Sequence, residues 1–279
     1  MQNSVLHKKI SCCLHCNSED FSEVGKTTLG YVAYRCSDCN RKFNERTDTP
    51  FNFLEQRTDV IVLVVRWYIT YKLSLRDLVE MFQDRGFDFS HETVRGWTTK
   101  IAPLITEQLR KKRFGKAGES CYVDETYIKV KGKWTYLYRS LDREGNLIDT
   151  MLSETRDMDA AKRFFRNARK VTGVKPDRVT TDKHPSYPRA ISATLGKRIT
   201  HRHNQYLNNY TEQSHRPIKQ RYYPMRGFGN FKFASQFCRS FEETRNFFRI
   251  NNKIKYTAAQ KRNIRKIKNY SFYKIIREI

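Results

Sequence analysis

Leu75, Leu78, Val79 and Phe82 recur at i, i+3, i+4 and i+7, which gathers them on one face of a helix with 3.6 residues per turn. Val94, Trp97, Ile101 and Leu104 draw a second such stripe. Both helices have a start signal: Ser74 with Asp77 three residues on, and Ser90 leading into His91 and Glu92, offer acceptors to the free N–H groups of a first turn. Arg85 and Gly86 end the first, and helical patterning extends from about residue 54 to 112. The period then changes. Runs at 121–130, 134–141 and 147–152 read as strands, and the turns between them, 131–133 and 142–146, are short enough for hairpins of an antiparallel meander. Helical spacing returns at Met158, Ala161, Phe165 and Ala168, a β-rich run follows at 178–181, and Pro185 starts another helix. Strands followed by alternating helices and strands predict a mixed α/β sheet.

The first 45 or so residues fit neither period. They carry five of the seven cysteines, are punctuated by Gly25 and Gly30, and are too short to fold on apolar burial alone. The chain thus divides into 1–50, 51–112, 113–250 and a basic tail, 251–279. At 279 residues it is long enough for two or three modules. Fifty-four Lys and Arg against 29 Asp and Glu leave a formal charge of +25, which favours a polyanionic partner, nucleic acid first. A membrane span is excluded, since the longest aliphatic run, residues 60–65, stops at Arg66. His7, Lys8 and Lys9 precede Cys12 and Cys13 with no apolar leader, so the thiols are expected in a reducing compartment, the cytoplasm.

Reduced thiols at regular spacing point to a metal. Cys13, Cys16, Cys36 and Cys39 form two C-x₂-C pairs nineteen residues apart, a spacing that sets four thiolates around one structural Zn²⁺. Cys12 and His15 are competing ligands, and reduced core cysteines the metal-free alternative. In the helical region, residues 85–89 separate two amphipathic helices, and the second presents His91, Glu92, Arg95 and Thr99 away from the Trp97 stripe. A helix-turn-helix would put those side chains against DNA bases in the major groove. An ordinary helical hairpin has the same spacing, and the net charge favours DNA.

Three carboxylates stand out from the other acidic residues. Asp124 falls mid-strand, where a charge facing a packed sheet must be paired, hydrogen-bonded or metal-bound. Glu125 should point to the opposite face, so that only one of the two reaches a common ion. Asp182 ends the 178–181 run, at the carboxyl end of a strand where α/β sheets build sites, although a lone Asp there also serves as a helix cap. Glu212, if helical, shares a face with Arg216 and Lys219, aligning a metal ligand with phosphate-binding cations, or leaving Arg216 on a solvated face. Separated carboxylates suit phosphodiester chemistry, because two Mg²⁺ need anionic oxygen ligands.

These residues lie in stretches that resemble the DDE transposases of bacterial insertion-sequence family six, from about Cys13 to Phe248. The stretches are RTDTPF at 46–51, YKLSLRDL at 71–78, ETVRGW at 92–97, DETYIKVKGKW at 124–134, YLYR at 136–139, TDKHPSY at 181–187, and Asn208-Asn209 through Glu212-Gln213 to HRPIK at 215–219. The resemblance implies a ribonuclease-H-like core with Asp124 and Asp182 on strands, Glu212 on a helix and Lys219 at a basic position downstream. It further implies Mg²⁺-dependent strand cutting at terminal inverted repeats and joining to target DNA, Mn²⁺ being able to substitute, by a homodimer or larger synaptic assembly. The interval from Asp182 to Glu212 is shorter than usual, with a trimmed loop at 195–197. The zinc ribbon occurs in only part of the family, and the basic tail is long for it. A transposase-derived regulator that binds without cutting is the alternative from another class, and a plain nuclease the enzymatic one.

Overall fold

A computed structural model describes residues 9–113, 119–203, 208–251 and 254–279, with the backbone alone for 208–214. Three short strands, β1 (Phe21–Lys26), β2 (Val32–Cys36) and β3 (Lys42–Phe43), form an antiparallel sheet around Cys13, Cys36 and Phe43. Phe21, Tyr34 and Phe43 pack ring against ring within 5.4–5.7 Å, a core too small to stand without a staple. Two side chains tie this ribbon to the helical region. The buried Arg46 guanidinium donates to the carbonyls of Phe51, Leu54 and Gln56, and Tyr31 Oη accepts the Thr58 N–H at 2.8 Å, capping the first helix.

That helix, α1 (Thr58–Thr70), buries the aliphatic run starting at Val60. In α2 (Leu75–Gln83), Ser74 and Asp77 close a reciprocal capping box. In α3 (His91–Lys111), Ser90 Oγ accepts the Thr93 N–H. Gly86, at φ +76°, turns the chain between them, and Phe89 wedges between Phe82 and Trp97.

The second sheet is built from β4 (Ser120–Val130), β5 (Lys133–Asp142), β6 (Leu147–Ser153), β7 (Arg178–Thr181) and β8 (Thr200–His203). Its order is β6-β5-β4-β7-β8; the meander pairs antiparallel, whereas β4, β7 and β8 run parallel. This is the mixed α/β sheet the sequence predicts, in the ribonuclease-H-like arrangement the resemblance implies. Helices α4 (Met158–Thr172) and α5 (Ser186–Leu195) cover one face, over Val123, Tyr138 and Val179. The other face, Ile128, Val130, Leu137 and Leu152, packs with α1–α3, α6 (Asn208–Tyr222), α7 (Phe231–Phe248) and α8 (Ala258–Ile276) in one continuous core.

Packing therefore does not break near residue 112 or 251. Arg110 and Arg113, at the end of α3, reach Asp149 on β6 and Glu243 on α7 at 2.5–3.2 Å, all four largely buried. The basic tail forms α8, which docks by its last turns. The first half of α8 is exposed, but Phe272, Tyr273, Ile275 and Ile276 are buried, with Phe272 against Phe247 and Phe248. The apolar side chains of its last turns, sparse among the lysines and arginines, decide where it sits.

Candidate active site

The carboxylates converge where β7 stops. The β4–β7 ladder runs from Ser120↔Arg178 to Tyr122↔Thr180, and continuing that register sets Asp182 level with Asp124. Since β7 ends at Thr181, β4 has no strand neighbour among the described residues on that side from Asp124 until an isolated bridge between Val130 and Phe228. The next support on this edge comes at Lys129, whose N–H donates to Tyr222 Oη at 2.8 Å and whose carbonyl accepts the Phe228 N–H. Side chains from both faces of β4 can thus wrap toward the open edge. Oxygens of Asp124, Glu125 and Asp182 all lie within 4.8 Å of one another. Asp124 and Glu125 do start from opposite faces, since the β4–β5 ladder runs unbroken through both, but the expectation that only one of them could reach a common ion fails, because at this open edge an oxygen of each comes within 4.8 Å of the other and of Asp182.

Each acid has a distinct setting. Asp124 is buried, with His215 Nε2 of α6 at 3.3 Å from its Oδ2. Its cross-strand partner, Arg139, is held 3.0 Å from Glu242 of α7. Glu125 accepts hydrogen bonds from Tyr187 Oη and Arg156 Nε. Burial pushes its carboxyl up to about 7, against the pull of Tyr187 and Arg156. Asp182 is the most open of the three: its Oδ2 meets Arg156 Nη2 at 2.8 Å, and its Oδ1 accepts the His184 N–H at 3.0 Å. The Asx-type contact is made ahead of α5, which has no side-chain cap, so Asp182 does not cap that helix, and its second oxygen faces the cluster. Arg156 joins Glu125 to Asp182 from the loop between β6 and α4.

Glu212 falls on α6 one turn before His215, and its side chain lies outside the described residues. On the same helix His215, Ile218 and Tyr222 are buried, Arg216 is exposed and Lys219 half-buried. Glu125, Arg156, Tyr187 and His215 were not assigned roles by sequence reasoning. Glu125, Tyr187 and His215 carried a signal, since all three fall inside the matching stretches. Arg156 stands in a loop with no periodicity to mark it.

Comparison with known proteins gives the arrangement its context. The DDE domain family matches residues 118–251, which span β4 through α7. The transposase for insertion sequence-like element IS431mec of Staphylococcus aureus is 41% identical over 175 residues, which cover 61% of this chain and 77% of that protein. The transposase for insertion sequence element IS257 in transposon Tn4003, from the same species, matches at 41% over 175 residues. This chain belongs to the DDE transposases of insertion-sequence family six. Among solved structures, the magnesium complex of the HTLV-2 integrase catalytic core domain in its trimeric form matches at 14% identity and a TM-score of 0.36, covering 53% of this chain and 95% of that one.

The transposase is accordingly an enzyme that cuts DNA strands and transfers them. No helix among its described residues is long and apolar enough to cross a membrane. In its ribbon, the thiols of Cys13, Cys16, Cys36 and Cys39 all approach within 4.8 Å of one another. The Cys39 backbone N–H, the largest influence, draws the Cys36 thiol down to about 7, toward the thiolate a metal needs. Neither competitor is in the group: Cys12 lies outside it, and His15 turns its ring edge-on to Phe43. On α3, Glu92, Arg95 and Thr99 are exposed and His91 partly so. Arg95 Nε sits 3.0 Å from Glu92 and His91 Nε2 3.3 Å from it, so Glu92 steadies both side chains on the outer face.

Proposed function

We propose that the transposase acts at terminal inverted repeats, cleaving a strand at each element end and joining the freed 3′-OH to target DNA, as a homodimer or larger synaptic assembly. The observation that supports this most is the convergence of Asp124, Glu125 and Asp182 at an open strand edge, beside the helix bearing Glu212. Asp124, Asp182 and Glu212 would hold two Mg²⁺, with Mn²⁺ as a substitute; three hard oxygen donors fit such ions, which would activate the attacking oxygen and stabilise the leaving one.

The protein's own residues then have definable tasks. His215 holds Asp124 from the helix side, and the Arg139–Glu242 pair fixes the neighbouring strand. Arg156 orients Asp182 and Glu125. Arg216 and Lys219, on the helix of Glu212, position the phosphodiester, since a carboxylate and cations at i, i+4 and i+7 face the same way. His91, Glu92, Arg95 and Thr99 read the repeat from α3, and Cys13, Cys16, Cys36 and Cys39 hold a structural Zn²⁺, four thiolates leaving no position for substrate.

The test is a strand-transfer assay with purified protein, inverted-repeat DNA and a target plasmid. Asp124→Asn and Asp182→Asn should bind the ends normally yet produce neither nicks nor joined products. Strand transfer retained by Asp124→Asn defeats the assignment. Wild-type binding without nicking would identify a regulator, and nicking without joining a plain nuclease.

A further inference from the structure

The face of β4 and β5 that carries Glu125 does not end at the carboxylates. Over Val123 and Tyr138 it is covered by α4 and α5, whereas beyond Glu125 it opens, with Tyr136 half-buried against that cover and Tyr127, Lys129 and Trp134 exposed. Tyr127 follows Glu125 on that face and pairs across the strands with Tyr136; Lys129 pairs with Trp134. The three rings form one cluster, with Tyr127 at 5.4 Å from Tyr136 and 6.2 Å from Trp134, and Lys129 Nζ stands 4.8 Å from the indole. Tyr127 is 48% and Trp134 54% exposed, and such large apolar area on a sheet face is costly unless something covers it. Lys131, in the adjoining turn, and Lys133, at the start of β5, are exposed, and no acidic residue occurs from Thr126 to Tyr138.

We infer that Tyr127, Trp134 and Tyr136 form a stacking platform for unpaired bases of the substrate DNA next to the scissile phosphate, with Lys129 holding the connecting backbone. The inference rests on the proposed function for the presence of DNA at the carboxylates, and adds where the strand leading from them goes. Three features select this occupant. The rings are continuous with the acidic cluster along one strand face, so a strand whose phosphate lies there passes over them. Their setting is cationic, which suits a polyanion. Exposed aromatic faces stack on a base only once it has left its pair, whereas an intact duplex offers phosphates and groove edges.

The test uses the full chain without added divalent ion, so that it reads binding alone. Fluorescence anisotropy would compare a fully paired inverted-repeat end with the same end carrying several unpaired nucleotides at the cleavage position. Wild type should prefer the unpaired end, and Trp134→Ala and Tyr127→Ala should each weaken that binding by on the order of 10-fold. Both should leave the paired end within about twofold, and Trp134→Phe, which keeps a ring, should retain most of the preference. Equal weakening on both substrates, or no weakening with unfolding temperature unchanged, overturns the inference. A change of oligomeric mass on Trp134→Ala without a DNA effect also overturns it, in favour of an interface between copies. Because this readout involves no cleavage, retained strand transfer by Asp124→Asn would sink the catalytic assignment and leave the stacking result to stand separately.

Discussion

Arg110→Met is the sharpest test of how the DNA-binding helix is joined to the catalytic sheet. Arg110 Nη1 lies 2.7 Å from Asp149 and 3.2 Å from Glu243, whose side chains are each 1% exposed. Methionine fills similar volume but strands Asp149 as a buried charge. Breaking such a pair from one side costs about 3–5 kcal/mol, and the lower end applies because Arg113 still meets Glu243 at 2.5 Å. In a protein of this size about 3 kcal/mol lowers the unfolding temperature by roughly 6 °C or more. Urea unfolding of wild type, Arg110→Met, Asp149→Asn and the double variant closes a thermodynamic cycle. The double variant should recover most of the loss, since the neutral amide no longer needs a cation. An Arg110→Met loss below about 1 kcal/mol, or one indifferent to Asp149→Asn, refutes the reasoning.

The same geometry carries four other expectations. Glu125 has a folded-state pKa of about 7 against an ordinary 4.5, so wild type loses stability as pH rises through that window. Glu125→Gln does not, and its unfolding temperature relative to wild type, measured without divalent ions, should improve between pH 5 and 8 by the equivalent of up to about 3 kcal/mol; parallel curves would refute it. Cys36→Ser should release the zinc, measured by metal analysis, and make the ribbon protease-sensitive while the sheet and helices melt as before; unchanged zinc content would dismiss the ligand set. Lys72, Lys261 and Arg265 line a basic cleft of about 510 Å³ beside α6. If that cleft carries DNA, changing each to Gln should flatten the salt dependence of binding by about 0.9 for every phosphate no longer neutralised, and an unchanged slope would place the DNA elsewhere. Phe272→Ala should cost about 3–5 kcal/mol by urea unfolding, as expected of a core residue, and a near-zero cost would return α8 to the status of an appendage.

Much of the fold was legible in the chain because local signals and tertiary packing agree. The stripe through Leu78 and Phe82 is buried, the Ser74 and Ser90 caps form, and the meander and the helix starting after Pro185 appear where patterning puts them. Leu104 is only partly buried, and Ile105, four residues after Ile101, takes the core position. What escaped is what depends on where one strand ends relative to another. Periodicity gives each residue of β4 a face, but not the length of β7, and that length brings Glu125 into the cluster. Arg156 escaped because a loop has no period, and the position of α8 because charge outweighs apolar content in a sequence average while burial does not.

A sheet gains cohesion from each rung of its ladder, and this one forgoes rungs where its chemistry is placed. Were β7 to run two residues further and zip onto Asp124 and Glu125, the domain would be stiffer, and the open edge at which its acids now converge would be closed. In that respect the transposase trades cohesion for access, and loop changes near Asp182 that strengthen the fold should be the ones most damaging to its activity.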